Sequence, residues 1–292
     1  MKNPVMTASG TFGSGREYSR FMELERLGAI VVKGVTRDPR EGNPTPRVCE
    51  TPSGMLNAIG LQNPGVEAFV RDDLRWLAPA GVPVIVNVAG SSISEYGEVA
   101  KVLAASGGVA GIEANVSCPN VKRGGIAFGC DADLTSKVVA AVRRAAPRLP
   151  LIVKLTPAAP DIVAIAQAAE EAGADAVSLI NTFPGMAIDV ETFQPKLGSV
   201  AGGLSGPATR PIAVKMVFDV ARAVRIPVIG MGGIMSAADA LEFMLAGASA
   251  VAVGTANFVN PRAAIEIIDG LAEFVRARCI ESIGDIVGQV KL

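Results

Sequence analysis

Histidine is absent from this sequence of 292 residues, and tryptophan (1), tyrosine (2) and cysteine (4) are scarce. Without imidazole, Ser–His–Asp and Cys–His nucleophilic sites cannot be built, nor can a zinc site with histidine ligands. Any general base must be Asp, Glu, Lys, Tyr or Cys. The cysteines, Cys49, Cys118, Cys130 and Cys279, form no CxxC pair, which argues against an iron–sulfur cluster held by this chain alone; no metal site is expected. With no signal peptide, their scatter reads as a reduced, cytoplasmic chain and not a disulfide scaffold. A net charge of −1 with no long basic run argues against nucleic acid as the main partner. Two uncharged stretches, 76–94 and 243–261, approach membrane-spanning length, but Pro, Gly and Asn stand where a spanning helix needs aliphatics.

Hydrophobic residues, by contrast, make up 50% of the chain, enough for a sizeable core. Short β-branched runs at 4–7, 29–33, 83–88, 111–115, 151–154, 176–180, 227–230 and 250–253 alternate with amphipathic segments. The latter lie near 16–27, 66–78, 93–106, 132–147, 160–172, 208–225, 237–246 and 261–278. Continuous apolar strands separated by helices imply a parallel sheet covered by helices. Eight repeats in this length fit an α/β fold of the (β/α)8 TIM barrel type better than an open sheet. With no linker, 1–292 reads as one domain. Residues 34–64 and 181–207 are too long for plain connections and are expected to be active-site loops, the alternative being inert insertions or subunit contacts.

Barrel active sites are assembled at the C-terminal ends of the strands. Here those ends carry Ser9 and Gly10, Lys33 and Gly34, Asn87, Asn115, Lys154, Asn181 and Thr182, Gly232 and Gly233, and Gly254 and Thr255. Lys33 and Lys154 each follow three apolar residues, which places their ammonium groups in a half-buried mouth. A cation there without an anion loses its proton or destabilises the fold. A bound anionic or electron-rich ligand answers this; the alternative is lysines that snorkel to solvent or pair with Glu113. Gly232-Gly233 and Gly254-Thr255 precede helices, so their N–H groups can converge on a phosphate. A phosphorylated ligand such as FMN or a sugar phosphate follows.

Cys118 begins the loop after the fourth strand, in the run Asn115, Val116, Ser117, Cys118, Pro119, Asn120. A thiol with a pKa near about 8.5 is activated by cationic or dipolar neighbours. With no histidine, Cys118 is the best-placed group to accept a proton near neutral pH. Cys130 precedes a helix and ranks well behind it, while Cys49 and Cys279 read as ordinary small side chains.

Across almost its whole length the chain resembles the dihydroorotate dehydrogenases, flavin enzymes of pyrimidine biosynthesis. The likeness rests on residues 7–13 (TASGTFG), 32–36 (VKGVT), 57–65 (NAIGLQNPG), 115–120 (NVSCPN), 153–157 (VKLTP), 202–207 (GGLSGP) and 230–233 (GMGG). Cysteine in NVSCPN is similar to the soluble class, the membrane-bound class having serine there. Residues 57–63, 124–129 (GGIAFG) and 185–189 (GMAID) resemble the NAD-linked group. That group's catalytic subunit forms a homodimer joined to a second subunit carrying FAD and a 2Fe-2S cluster.

The resemblance implies FMN contacts at Ser9, Lys33, Gly34, Asn87, Asn115, Lys154, Ile180, Gly206, Gly232, Gly233, Gly254 and Thr255. It implies substrate contacts at Lys33, Asn57, Ala58, Ile59, Gly60, Leu61, Asn115, Asn181 and Thr182. Oxidation of dihydroorotate removes a proton from C5 and a hydride from C6, with Cys118 as general base and FMN N5 as hydride acceptor. Family members carry a small strand pair ahead of the first barrel strand; here residues 1–4 lead directly into that strand, so the barrel floor is expected to be open or the start misassigned. Alternatives are a stand-alone enzyme reducing fumarate, a flavin barrel acting on another dihydropyrimidine, and a non-flavin isomerase or aldolase.

Overall fold

Valine, isoleucine and alanine dominate the eight apolar runs, and branched side chains favour extended backbone where both faces are buried. The computed structural model describes residues 1–117 and 128–291. Its first eight strands are β1 (Val5–Thr7), β2 (Ile30–Val35), β3 (Val48–Thr51), β4 (Gly54–Asn57), β5 (Val84–Val88), β6 (Gly111–Asn115), β7 (Leu151–Lys154) and β8 (Ala176–Leu179). They are followed by β9 (Phe183–Gly185), β10 (Ile188–Asp189), β11 (Gln194–Pro195), β12 (Gly202–Ser205), β13 (Val228–Met231) and β14 (Ala250–Val253).

Eight of these strands form one parallel sheet in the order β1-β14-β13-β8-β7-β6-β5-β2. Its two ends meet: Met6 bridges Ala29, and the Gly28 N–H donates to the Val5 carbonyl at 2.8 Å. The result is a (β/α)8 barrel. Alternation along each strand sorts the side chains. Val84, Val86, Leu151, Val153, Val251 and Val253 pack outward in the layer shared with the helices. Val31, Ile85, Ile152, Ile229, Met231, Ala250 and Ala252 fill the barrel interior. The same parity carries Lys33, Asn87 and Lys154 inward, two residues beyond Val31, Ile85 and Ile152.

Long helices follow six strands: Ile93–Ser106, Ala132–Ala145, Ile162–Glu171, Arg210–Ala221, Ala237–Ala246 and Ala263–Ala277. The first three begin at Ser92, Asp131 and Asp161, whose side-chain oxygens accept N–H groups of the first turn. Two segments differ from the sequence expectation. Residues 16–27 form no α-helix but two 3-10 turns, Tyr18–Arg20 and Leu24–Arg26, separated by extended Glu23. The break lets Met22, Leu24 and Leu27 all enter the core. Residues 66–78 are helical, but Phe69–Leu74 is wound as a π-helix between short α turns.

The two expected loops contain strands that pair with each other. An antiparallel sheet in the order β3-β4-β12-β9 lies between them, with Asn57 opposite Gly203 and Met55 opposite Ser205. Close packing requires glycine here: a Cβ on Gly203 would lie 2.0 Å from Thr182 Oγ1. Beyond β9, β10 and β11 form a small hairpin.

Candidate active site

A cavity of about 390 Å³ opens at the C-terminal end of the barrel, between the strand ends and the antiparallel sheet. Its wall contains Ser9, Lys33, Gly34, Asn87, Asn115, Lys154, Ile180, Gly206, Gly232, Gly233, Gly254 and Thr255. Asn57, Ala58, Ile59, Gly60, Leu61, Asn181 and Thr182 complete it from the two long connections. Every residue expected to contact cofactor or substrate thus faces this one space; Cys118 lies outside the described residues.

Lys154 is buried and Lys33 half-buried. Lys154 is 5% exposed, and its Nζ donates to Ser9 Oγ at 3.0 Å. Burial, and secondarily the positive charge of Arg47, pushes the Lys33 ammonium below the usual lysine range. Glu113 does not pair with either lysine: its oxygens accept from Asn87 Nδ2 at 2.6 Å and Ser178 Oγ at 2.8 Å. The cavity therefore holds two cations with no ion-pair partner among the described residues, a setting for anionic groups.

Opposite them is an amide cluster. Asn115 Oδ1 accepts from the Ser117 N–H at 3.2 Å, and Tyr96 Oη donates to the Asn115 carbonyl at 2.6 Å. Asn181 Nδ2 donates to Ser117 Oγ at 2.9 Å, and Asn181 Oδ1 accepts from the Thr182 N–H at 2.8 Å. Such an array of donors and acceptors fits a planar heterocycle. At the far end, the glycines after β13 and β14 leave backbone open to the cavity, and Thr255 Oγ1 donates to Ser205 Oγ at 2.8 Å. Cations, small-residue loops and amides together suit a phosphorylated cofactor such as FMN beside a small polar ring.

The family profile described as dihydroorotate dehydrogenase matches residues 1–275. The chain belongs to the dihydroorotate dehydrogenase family. Among its relatives, a protein of Alkaliphilus oremlandii named "Dihydroorotate dehydrogenase B (NAD(+)), catalytic subunit" is 56% identical over 290 residues, 99% of this chain and 95% of that protein. Proteins with the same name from Thermoanaerobacter pseudethanolicus and Geotalea daltonii are 56% and 53% identical over 292 residues. They cover all of this chain and 96% and 95% of their own lengths.

Within this dihydroorotate dehydrogenase fold, several cavity residues escaped the sequence reading. Thr11, Leu204, Ser205, Thr209, Met231 and Phe258 also line the wall. Thr11, Leu204, Ser205 and Met231 lie inside the runs 7–13, 202–207 and 230–233, so the sequence offers their positions; Phe258 follows an unremarkable Ala-Asn and gives no signal. Asn63 was also passed over. Its Oδ1 accepts from the N–H groups of Thr36 and Gly65, and its Nδ2 donates to Thr36 Oγ1 and the Leu61 carbonyl. Asn63 thus ties the 57–61 segment to the end of β2. Cys130 Sγ approaches the Ala158 carbonyl at 3.7 Å, and burial pushes its thiol pKa up, away from reactivity.

Proposed function

We propose that this chain oxidises (S)-dihydroorotate to orotate in pyrimidine synthesis, acting as one FMN-binding domain in the cytoplasm. Its electrons pass to NAD through a partner subunit bearing FAD and a 2Fe-2S cluster. The observation that carries this reading is full-length identity of 53–56% to relatives named as NAD(+)-dependent catalytic subunits, with the expected residues lining one cavity. No helix among the described residues is long and apolar enough to cross a membrane.

FMN bound in the cavity supplies a hydride acceptor. The protein's own contribution is positioning and proton transfer. Lys33 holds a substrate carboxylate, while Asn57, Asn115 and Asn181 fix the amide edges of the pyrimidine. Lys154, held by Ser9, would place a positive charge beside the bound cofactor and favour its acceptance of electrons. Cys118 removes the C5 proton as general base. The hydrogen bonds of Ser117, from Asn181 Nδ2 to its Oγ and from its N–H to Asn115 Oδ1, support this role, because they hold the residue before Cys118 against the amide cluster.

Two features support transfer to another protein. Phe258 lines the cavity and is also 55% exposed, so the site reaches the surface there. Ile188, Val190 and Phe193, around the β10–β11 hairpin, are exposed apolar residues of the kind found at protein interfaces, consistent with a homodimer or partner contact. The test is the absorbance spectrum of the purified protein. A flavin spectrum that shifts on adding orotate, and bleaches with dihydroorotate, is expected; a colourless protein that ignores both FMN and orotate refutes the reading.

A further inference from the structure

Glu113 is only 2% exposed and lies outside the cavity wall, yet both of its carboxylate oxygens are engaged. It sits directly opposite Asn87 in the β5–β6 register, and Asn87 Nδ2 donates to Oε2 at 2.6 Å. Ser178, on β8, donates to Oε1 at 2.8 Å, so the carboxylate is held from two sides across β7. The other charged side chains of the barrel mouth, Lys33 and Lys154, make no ion pair with it.

A side-chain amide can present either end by turning about its last bond. A carboxylate only accepts, so it selects the Nδ2 end of Asn87 and leaves Oδ1 without a hydrogen-bond partner among the described residues. Oδ1 lies beside cavity-lining Gly34, where a Cβ would come within 2.9 Å of it. Glycine at that point leaves space for the oxygen.

The geometry points to Glu113 as a positioning residue: through Asn87 it makes this part of the cavity a hydrogen-bond acceptor, suited to a ring N–H of the bound ligand. The inference rests on the flavin reading only for its choice of probe. It predicts a polarity that can be reversed. In N87D, two carboxylates face each other; in N87D/E113Q, an amide again faces a carboxylate, with donor and acceptor exchanged.

The measurements are FMN affinity by fluorescence titration of the apoprotein and the melting temperature of the same apoprotein, at several pH values. E113L is expected to weaken FMN about tenfold, as loss of a buried hydrogen bond does. N87D is expected to weaken FMN at least about tenfold, and more as pH rises, because the facing carboxylates share a proton only at lower pH. N87D/E113Q is expected to recover most of that affinity and to lose the pH trend. A double variant no better than N87D overturns the proposal, as does E113L binding FMN like the wild type. If N87D fails to fold, a folded, FMN-binding double variant gives the same support, and an unfolded one overturns it. Should wild-type protein not bind FMN, the cofactor reading fails by itself; the melting temperatures of the apoproteins still report whether the double change restores the contact.

Discussion

At the scale of residues, the lack of histidine moves proton chemistry onto other groups, and the Cys118 thiol is the group proposed to act at C5. Cys118→Ala is expected to keep FMN and orotate binding while slowing flavin reduction in stopped flow by about a hundredfold or more, the contribution typical of a positioned general base. Cys118→Ser should keep part of the rate, with its profile displaced to higher pH, and Cys130→Ala should be mild. Near-normal reduction by Cys118→Ala removes the cysteine from the mechanism. Lys33 gives a second prediction. Burial has lowered its pKa, and a bound carboxylate raises it again, so binding takes up a proton between those two values. Orotate affinity should therefore be greatest below the free-protein pKa of Lys33 and fall as pH climbs through it. Lys33→Met should weaken binding and flatten the profile in the same titration.

At the scale of elements, the barrel strands were legible because continuous β-branched runs have no other compact solution, and period two then decides which side chains point inward. Position at the strand ends brings Lys33, Asn87, Asn115 and Lys154 to one mouth, and the alternation turns their side chains into it. The first connection was misread as a helix because Leu24 and Leu27 have helical spacing, while the core's demand for Met22 as well breaks the turn. The sheet β3-β4-β12-β9 was invisible for a different reason. Its strands are only three or four residues of weak pattern, and the pairing that joins the two connections, β4 with β12, spans a large separation in sequence. Gly203→Ala tests what this sheet does. The new Cβ collides with Thr182, displacing Asn57 or the substrate side of the cavity. The expectation is a KM for dihydroorotate raised about tenfold, the scale of a modest overpacking penalty, with the flavin spectrum retained. An unchanged KM would mean that the sheet only covers the barrel.

At the scale of the whole molecule, the closed barrel and its ligand form one thermodynamic unit. The residues proposed to hold FMN lie on strand ends from both halves of the chain, so binding would be linked to global folding. At free FMN a hundredfold above Kd, stabilisation is about 2.7 kcal/mol, roughly 5 °C in Tm for a chain of this size. Calorimetry of apo and reconstituted protein checks this; equal melting temperatures would place the flavin outside the folded cavity. What the sequence determined by itself was local: where strands run, which way their side chains alternate, and which polar groups end them. Only the tertiary structure decided that residues 57 and 203 pair, that Asn63 anchors the 57–61 segment, and that Glu113 turns toward Asn87 and Ser178 and away from the lysines. Periodicity records the environment along one strand. The choice of partner depends on chain brought back from far along the sequence, and no local pattern encodes that return.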